Sequence, residues 1–358
     1  MTASEENMSG APAKPRTVSA LLEEAVKARG DFFDPAHESA VRLFNGFYEG
    51  CPLLSVDILA RTAVIHNYAE PPEKGSVNVA EALGALERLL PWIRTVILKT
   101  RAGAAPEERR GVIIRGTEPD RVIREHGVLY AVDPLISRDT GFFLDTRNLR
   151  GWALRNLKDK TVLNTFAHTG SLGVAALAGG AARVVQLDKS ARFLETAKKS
   201  CALNGLPVVK GDYIAGDFWV QSSRLRRAGA LFDCVFLDPP FFAAGRGGTV
   251  SLDKGLSALI NKVRPLISDG GFLAAVSNAL FVSGKEYMAE LENLCSSGYL
   301  RIAELIPVPR DFIGYSKGGE AANITDPAPF NHSTKIVILE VHRKEARPEQ
   351  TTSAHPAL

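Results

Sequence analysis

Cysteine is scarce in this 358-residue chain, and its four copies, Cys51, Cys201, Cys234 and Cys295, stand far apart. Without a CxxC pair, neither a zinc site nor a disulfide framework is expected, and a reducing cytoplasm is the simplest setting. Long apolar runs are also lacking, so no segment reads as a membrane span. The opening residues MTASEENMSGAPAKPRT contain Glu5 and Glu6 and no apolar core. That excludes a secretory signal or transit peptide and leaves a disordered tail over 1–16, matched by a polar tail over 343–358. Charge of one sign is not in excess: 43 basic against 40 acidic residues give +3, which permits a nucleic-acid partner without demanding one. No internal repeat is visible.

What the chain does have is pattern. Residues 17–29 have helical spacing. LSVDIL and TAVIHNY alternate as an antiparallel strand pair, VAEALGALERLLPWI (79–93) is an amphipathic helix, and TVILKTRA and GVIIRG are further strands. Residues 17–125 therefore read as a small α+β domain. Extended segments and a helix follow over 126–157. From 158 to 342 strand and helix alternate: TVLNTF, SLGVAALAGG, RVVQLD, ARFLETAKKSCALNG, a short YIAGDFW strand, the polar segment QSSRLRRAG, then FDCVFLDPP and its successors. Such alternation predicts a parallel sheet covered on both faces, a Rossmann-like α/β fold.

The stretch VLNTFAHTGSLGVAALAGGAARVVQLDKS (162–190) outlines a nucleotide-binding βαβ unit. A dinucleotide fingerprint needs GxGxxG, and here His168 occupies the first glycine position, with only Gly170 and Gly173 in place. S-adenosylmethionine has no pyrophosphate and needs only close backbone approach, plus a carboxylate for the ribose at the end of the second strand. Asp188, with Ser190 behind it, stands there; the plain alternative is a surface acid at a strand end. Further on, FDCVFLDPPFF puts Asp238, Pro239, Pro240 and Phe241 at the carboxyl end of a buried strand. Two prolines force an abrupt turn there. The pattern D/N-P-P-F/Y is that of methyltransferases acting on amino nitrogens, against a local strand terminator as the alternative.

In these motifs the chain resembles the class I S-adenosylmethionine-dependent methyltransferases of the bacterial large-subunit type that modify 23S ribosomal RNA. RLFNGFYEGCPLLSVD resembles the start of that family's small central domain, HGVLYAVDPLISRDTGFFLDTRNLR its hairpin and TGFFLD segment, LNTFAHTGSLGVAAL its first motif, and DPPFF its DPP-aromatic motif. The resemblance runs over about 38–342. It implies a class I methyltransferase domain behind a smaller one, S-adenosylmethionine as cofactor, and RNA, ribosomal in particular, as partner. There are departures. Residues 1–37 are too few for the RNA-binding PUA domain of some members, and His168 replaces the usual tyrosine. Members that make 5-methylcytosine have a cysteine at the end of the strand after DPP, where this chain reads AAVSN with Ser277 or a neighbour. A serine hydroxyl is too weakly ionised to add to a pyrimidine ring, so carbon-5 chemistry is disfavoured.

The resulting expectation is methyl transfer to a base nitrogen. Residues 164–173, among them Asn164, Phe166, His168, Thr169 and Gly170, wrap the methionine part. Asp188 binds the ribose, and Asp217 or its competitor Asp212 meets the adenine. The resemblance places Phe142, Phe143 and Arg147 along the cofactor or substrate opening, and Asp238, Pro239 and Phe241 do the transfer. His332 and Lys335 are read as a solvated loop or an RNA contact, and Arg224, Arg226 and Arg227 as a solvated face or a phosphate contact. Open alternatives are a protein N-methyltransferase, a catalytically silent RNA-binding protein of the same fold, and a nicotinamide oxidoreductase, against which His168 counts.

Overall fold

The computed structural model describes residues 16–245, 248–251, 256–314 and 326–343. The expected tails thus lie almost wholly outside the described residues, as do Lys254 and Gly255 at the start of KGLSALINKVRPLI, which reads as a helix from its sequence. The chain forms two compact units, Met1–Pro119 with Gly314–Ala321 and Asp120–Ile313 with Ala322–Leu358.

In the first unit, helix α1 (Val18–Arg29) starts at Thr17, whose hydroxyl accepts the Ala20 N–H. Strands β1 (Ala40–Phe44), β2 (Leu54–Leu59) and β3 (Thr62–Asn67) run antiparallel. Helix α2 (Ser76–Leu89) then carries the chain to β4 (Thr95–Thr100), parallel to β3, and the short α3 (Pro106–Arg110) leads to β5 (Val112–Arg115). The spatial order is β1-β2-β3-β4-β5. The two-residue period of β2 sends Leu54, Val56 and Ile58 into one apolar cluster with Leu22 and Ala25 of α1 and Ala82 and Leu86 of α2.

The second unit opens with a hairpin, β6 (Val122–Glu125) and β7 (Val128–Ala131). A domain boundary at 125 would cut this hairpin. The division falls at Pro119 instead, because paired strands bury their backbone groups together. Then come α4 (Arg147–Asn156), β8 (Thr161–Thr165), α5 (Ser171–Ala178), β9 (Arg183–Asp188), α6 (Ala191–Leu203), β10 (Tyr213–Ala215), α7 (Phe218–Arg227) and β11 (Phe232–Leu237). A small ribbon of β12 (Phe242–Gly245) and β13 (Gly248–Ser251) precedes α8 (Ser257–Val263), β14 (Ile267–Ser277), α9 (Gly284–Cys295), β15 (Leu300–Leu305) and β16 (Lys335–Val341).

The central sheet is ordered β10-β9-β8-β11-β14-β16-β15. It is parallel from β10 to β14, and β16 and β15 close it antiparallel. This is the Rossmann-like arrangement, with one apolar core on each face. The chain winds one way from β8 to β10 and the other way from β11 to β14. The order therefore reverses between β8 and β11, and a crevice must open outside their carboxyl ends.

QSSRLRRAG, read from the sequence only as a polar segment, belongs largely to helix α7. Asp217 caps it by accepting the Val220 N–H at 3.1 Å, Phe218 and Ser222 form its buried stripe, and Arg224, Arg226 and Arg227 fill its last turn, where the helix dipole favours cations. Among the described residues no helix is long and apolar enough to cross a membrane.

Candidate active site

Past the end of β8 the backbone alternates into the left-handed region at Phe166, His168 and Gly170, with φ of 53°, 49° and 77°. A Cβ on Gly170 would meet that of Ala197 at 2.4 Å, and one on Gly173 would meet the Gln186 side chain at 2.3 Å. These glycines thus let α5 sit close against β9 and α6. Gln186 ties the turn together: its Oε1 accepts from Asn164 Nδ2 at 2.8 Å and its Nε2 donates to the Gly170 carbonyl at 3.2 Å. Asn164 Oδ1, by contrast, is buried with no hydrogen-bond partner.

Asp188 ends β9. Its Oδ2 accepts the His168 N–H and its Oδ1 the Ser190 N–H, both at 2.7 Å. A carboxylate offers about four lone-pair directions, so two remain for a diol. Of the two candidate acids around β10, Asp217 follows the strand and faces the crevice, whereas Asp212 precedes it and is ion-paired to Arg183 at 2.6 Å. Asp217 thus stands past the carboxyl end of a parallel strand, the end that reaches the crevice.

These parts enclose a cavity of about 340 Å³ within the second unit. Eight expected residues line it: Phe143, Asn164, Phe166, His168, Asp188, Asp217, Asp238 and Pro239. Five more take different places. Thr169 is buried and donates its hydroxyl to the Gly141 carbonyl at 2.7 Å. Gly170 packs on Ala197, and Ser190 caps α6. Phe142, only 2% exposed, packs on Tyr130 with the Arg150 guanidinium 4.1 Å above its ring. Phe241, 44% exposed, stands outside the wall just past Pro240. Phe143, rather than Phe142, lines the cavity, with its ring 4.9 Å from that of His168. Phe193 meets His168 edge-on at 4.3 Å. The histidine keeps an aromatic in the tyrosine's place, and burial pulls its pKa down, so the ring is neutral at neutral pH.

The site also contains residues that the motifs did not reveal: Asp145, Trp219, Asn278 and Thr334. Asp145 accepts the Thr334 hydroxyl at 2.9 Å. Burial first, and the charge of Asp145 second, push Asp238 up to about 7, with Arg150 opposing. Asp145 lies inside the quoted GFFLDTRN segment, and the signal for Trp219 was the unrecognised cap at Asp217.

Several further expectations are corrected. Arg147 is not at the opening; it is ion-paired to Asp311 at 2.7 Å and Glu125 at 3.2 Å. His332 lies half-buried in the bend before β16 and accepts the Thr334 N–H through Nδ1 at 3.0 Å, whereas Lys335 is fully buried and so is not a solvated loop residue. Ser277 is buried and does not line the cavity, whose wall at this strand end is Val276 and Asn278. No cysteine lines the cavity among the described residues; Cys234 is buried inside β11, where desolvation pushes its thiol far up.

A parallel sheet with a cavity at its switch point, an acid closing the second strand and a DPP turn opposite define a class I methyltransferase. The family model of S-adenosylmethionine-dependent methyltransferases matches residues 107–315, and the chain belongs to that family. It is 30% identical over 238 residues to Ribosomal RNA large subunit methyltransferase I of Photobacterium profundum, covering 66% of this chain and 60% of that protein's length. It is also 30% identical over 299 residues to the Bacillus subtilis protein named "Putative ribosomal RNA large subunit methyltransferase YwbD", covering 81% of this chain and 74% of that one. The crystal structure of SMU.776, complexed with SAH, superposes with a TM-score of 0.78 at 22% identity, covering 90% of this chain and 81% of that one.

Proposed function

We propose that this methyltransferase acts on a base nitrogen of RNA, and of ribosomal RNA in particular, in the cytoplasm. The observation that carries the reading is the meeting in one cavity of the Asn164–Asp188–Asp217 side with the Asp238-Pro239 turn. The ribosomal target is supported by the names of the two relatives, the reducing compartment by four free cysteines.

S-adenosylmethionine fits what lines the cavity, and when bound it supplies an electrophilic sulfonium methyl. Asn164 Oδ1, buried without a partner, is the acceptor for the ammonium of its methionine part. Asp188 holds the ribose hydroxyls with its remaining lone pairs, Asp217 accepts from the adenine amino group, and the stacked rings of Phe166 and Phe218, 4.6 Å apart, flank that side. Asp238 and the Pro239 carbonyl accept hydrogen bonds from the target amine and turn its delocalised lone pair toward the methyl. With the reactants aligned and water excluded, positioning accounts for most of the rate. Phe241, exposed beside the turn, stacks on the extruded base. Because the cavity is built within the second unit, we assign target recognition to the first.

Nucleoside mass spectrometry of 23S ribosomal RNA from a gene-deletion strain tests this. One N-methylated nucleoside should vanish and return when the purified protein and S-adenosylmethionine are added. Loss of a 5-methylcytosine, or of nothing, would overturn the assignment.

A further inference from the structure

Lys335 begins β16 with 0% of its surface exposed, yet among the described residues no carboxylate is bonded to it. Its Nζ donates instead to two backbone carbonyls, Ala279 at 3.0 Å and Ser333 at 2.6 Å. These carbonyls belong to different loops. Ala279 follows Asn278 past the end of β14, and Ser333 precedes Thr334 before β16; the two strands pair Ser277 against Lys335, so both loops leave the sheet at one level. Asn278 and Thr334 line the cavity, and Thr334 in turn holds Asp145, the acid that acts on Asp238.

We propose that Lys335 is a positioning residue whose ammonium pins the 278–279 and 333–334 backbones together and so fixes the acceptor side of the cavity. The proposal rests on the methyl-transfer reading above and adds to it the residue that holds Asn278, Thr334 and Asp145 in register with the Asp238 turn. A charged donor suits this task, because hydrogen bonds from an ammonium are shorter and stronger than those from a neutral amine.

Burial pulls Lys335 down to about 8, and Glu286 of α9, whose own bonds go to Ser283, opposes this through space. Between about 8 and its ordinary 10.5 the folded protein holds a neutral amine where the unfolded chain holds an ammonium. The lysine's contribution to stability therefore rises with pH across that window. Its charge-assisted pins weaken over the same window, so transfer should fall while stability rises. A merely structural lysine would move both the same way. Asp238, pushed up to about 7, titrates below this window.

The test compares wild type with Lys335→Met and Lys335→Gln. Single-turnover methyl transfer to ribosomal RNA from the deletion strain is followed from pH 6.5 to 9.5, alongside melting, S-adenosylmethionine affinity and amide hydrogen exchange. The Met variant should melt at or above the wild-type temperature and bind S-adenosylmethionine within about twofold, because relieving a buried charge removes a desolvation cost. Its transfer should nevertheless be at least about tenfold slower, without the alkaline decline, and Gln, keeping a neutral donor, should fall between. A Met variant with wild-type rate and decline, or a rate loss matched by a loss of melting temperature, overturns the proposal. If wild type itself moves no methyl to RNA, the substrate reading fails and hydrogen exchange still decides. Faster exchange at 278–283 and 331–334 in the Met variant supports the pin, and unchanged exchange sinks it.

Discussion

The backbone N–H of His168 lies 2.7 Å from Oδ2 of Asp188, so the acid assigned to the ribose also anchors the turn assigned to the methionine part. Cofactor binding and loop geometry are thereby coupled through one carboxylate. Asp188→Ala removes a charged acceptor of about 1.5–3 kcal/mol. S-adenosylmethionine affinity should fall at least tenfold by calorimetry, with melting lowered by only a few degrees. Unchanged affinity would remove Asp188 from the site.

The neighbours Phe142 and Phe143 separate packing from binding. Phe142→Leu disturbs the buried contact with Tyr130 and Arg150 and should lower stability by about 1 kcal/mol while leaving S-adenosylmethionine affinity alone. Phe143, 39% exposed and lining the cavity, should behave oppositely when changed to Ala. Urea melts and calorimetry on both variants give the comparison; a binding loss in the Phe142 variant alone would reverse the assignment.

The parallel sheet was legible because strand runs such as TVLNTF and FDCVFL are short, apolar and bounded by turn residues; the order of its strands was not. Asp188, Asp217 and Asp238 were placed by one rule, that chemistry sits past carboxyl ends of parallel strands. What the sequence hid was facing. In GFFLD, alternate side chains go to core and cavity, and nothing in two adjacent phenylalanines says which is which. Lys335 was hidden for a related reason: a lysine at a strand start reads as solvated, and only tertiary packing reveals two carbonyls waiting for it. Helix α7 was missed because its Ser- and Arg-rich composition outweighed the cap at Asp217.

Gly173 is required by proximity to Gln186 rather than by backbone angle. In Gly173→Ala the new Cβ would fall 2.3 Å from the Gln186 amide and displace it, breaking its bonds to Asn164 and Gly170. A cost of about 1–3 kcal/mol in chemical denaturation is expected, with weaker cofactor binding because Asn164 loses its orientation. A variant as stable as wild type would mean that the turn has more room than its contacts imply.

No covalent thiol step is expected, since the strand-end wall is Asn278 and Cys234 is buried in β11 with its thiol pushed up. Changing all four cysteines to alanine or serine should lower stability and preserve transfer. A stable adduct between the wild-type protein and RNA containing 5-fluorocytosine would contradict this and with it the nitrogen assignment.

Asp238 makes the reaction pH-dependent with a definite sign. Its carboxyl, pushed up to about 7 by burial and by Asp145, is partly protonated at neutral pH, and only the ionised form can accept two bonds from an amine without donating one back. Transfer should rise with pH through about 7. Because the folded pKa exceeds the ordinary 3.8, the group's contribution to stability runs the other way, complete below about 4 and lost as pH climbs through 7. Asp238→Asn keeps an acceptor oxygen but cannot titrate, so its rate should drop by one to two orders of magnitude at pH 8 and lose the rise near 7. Asp145→Asn removes the neighbouring charge and should shift that rise to lower pH. Single-turnover profiles of the three proteins from pH 5.5 to 8 measure both effects. A rise near 7 that survives in Asp238→Asn would assign it to another group and leave the Pro239-Pro240 turn as architecture alone.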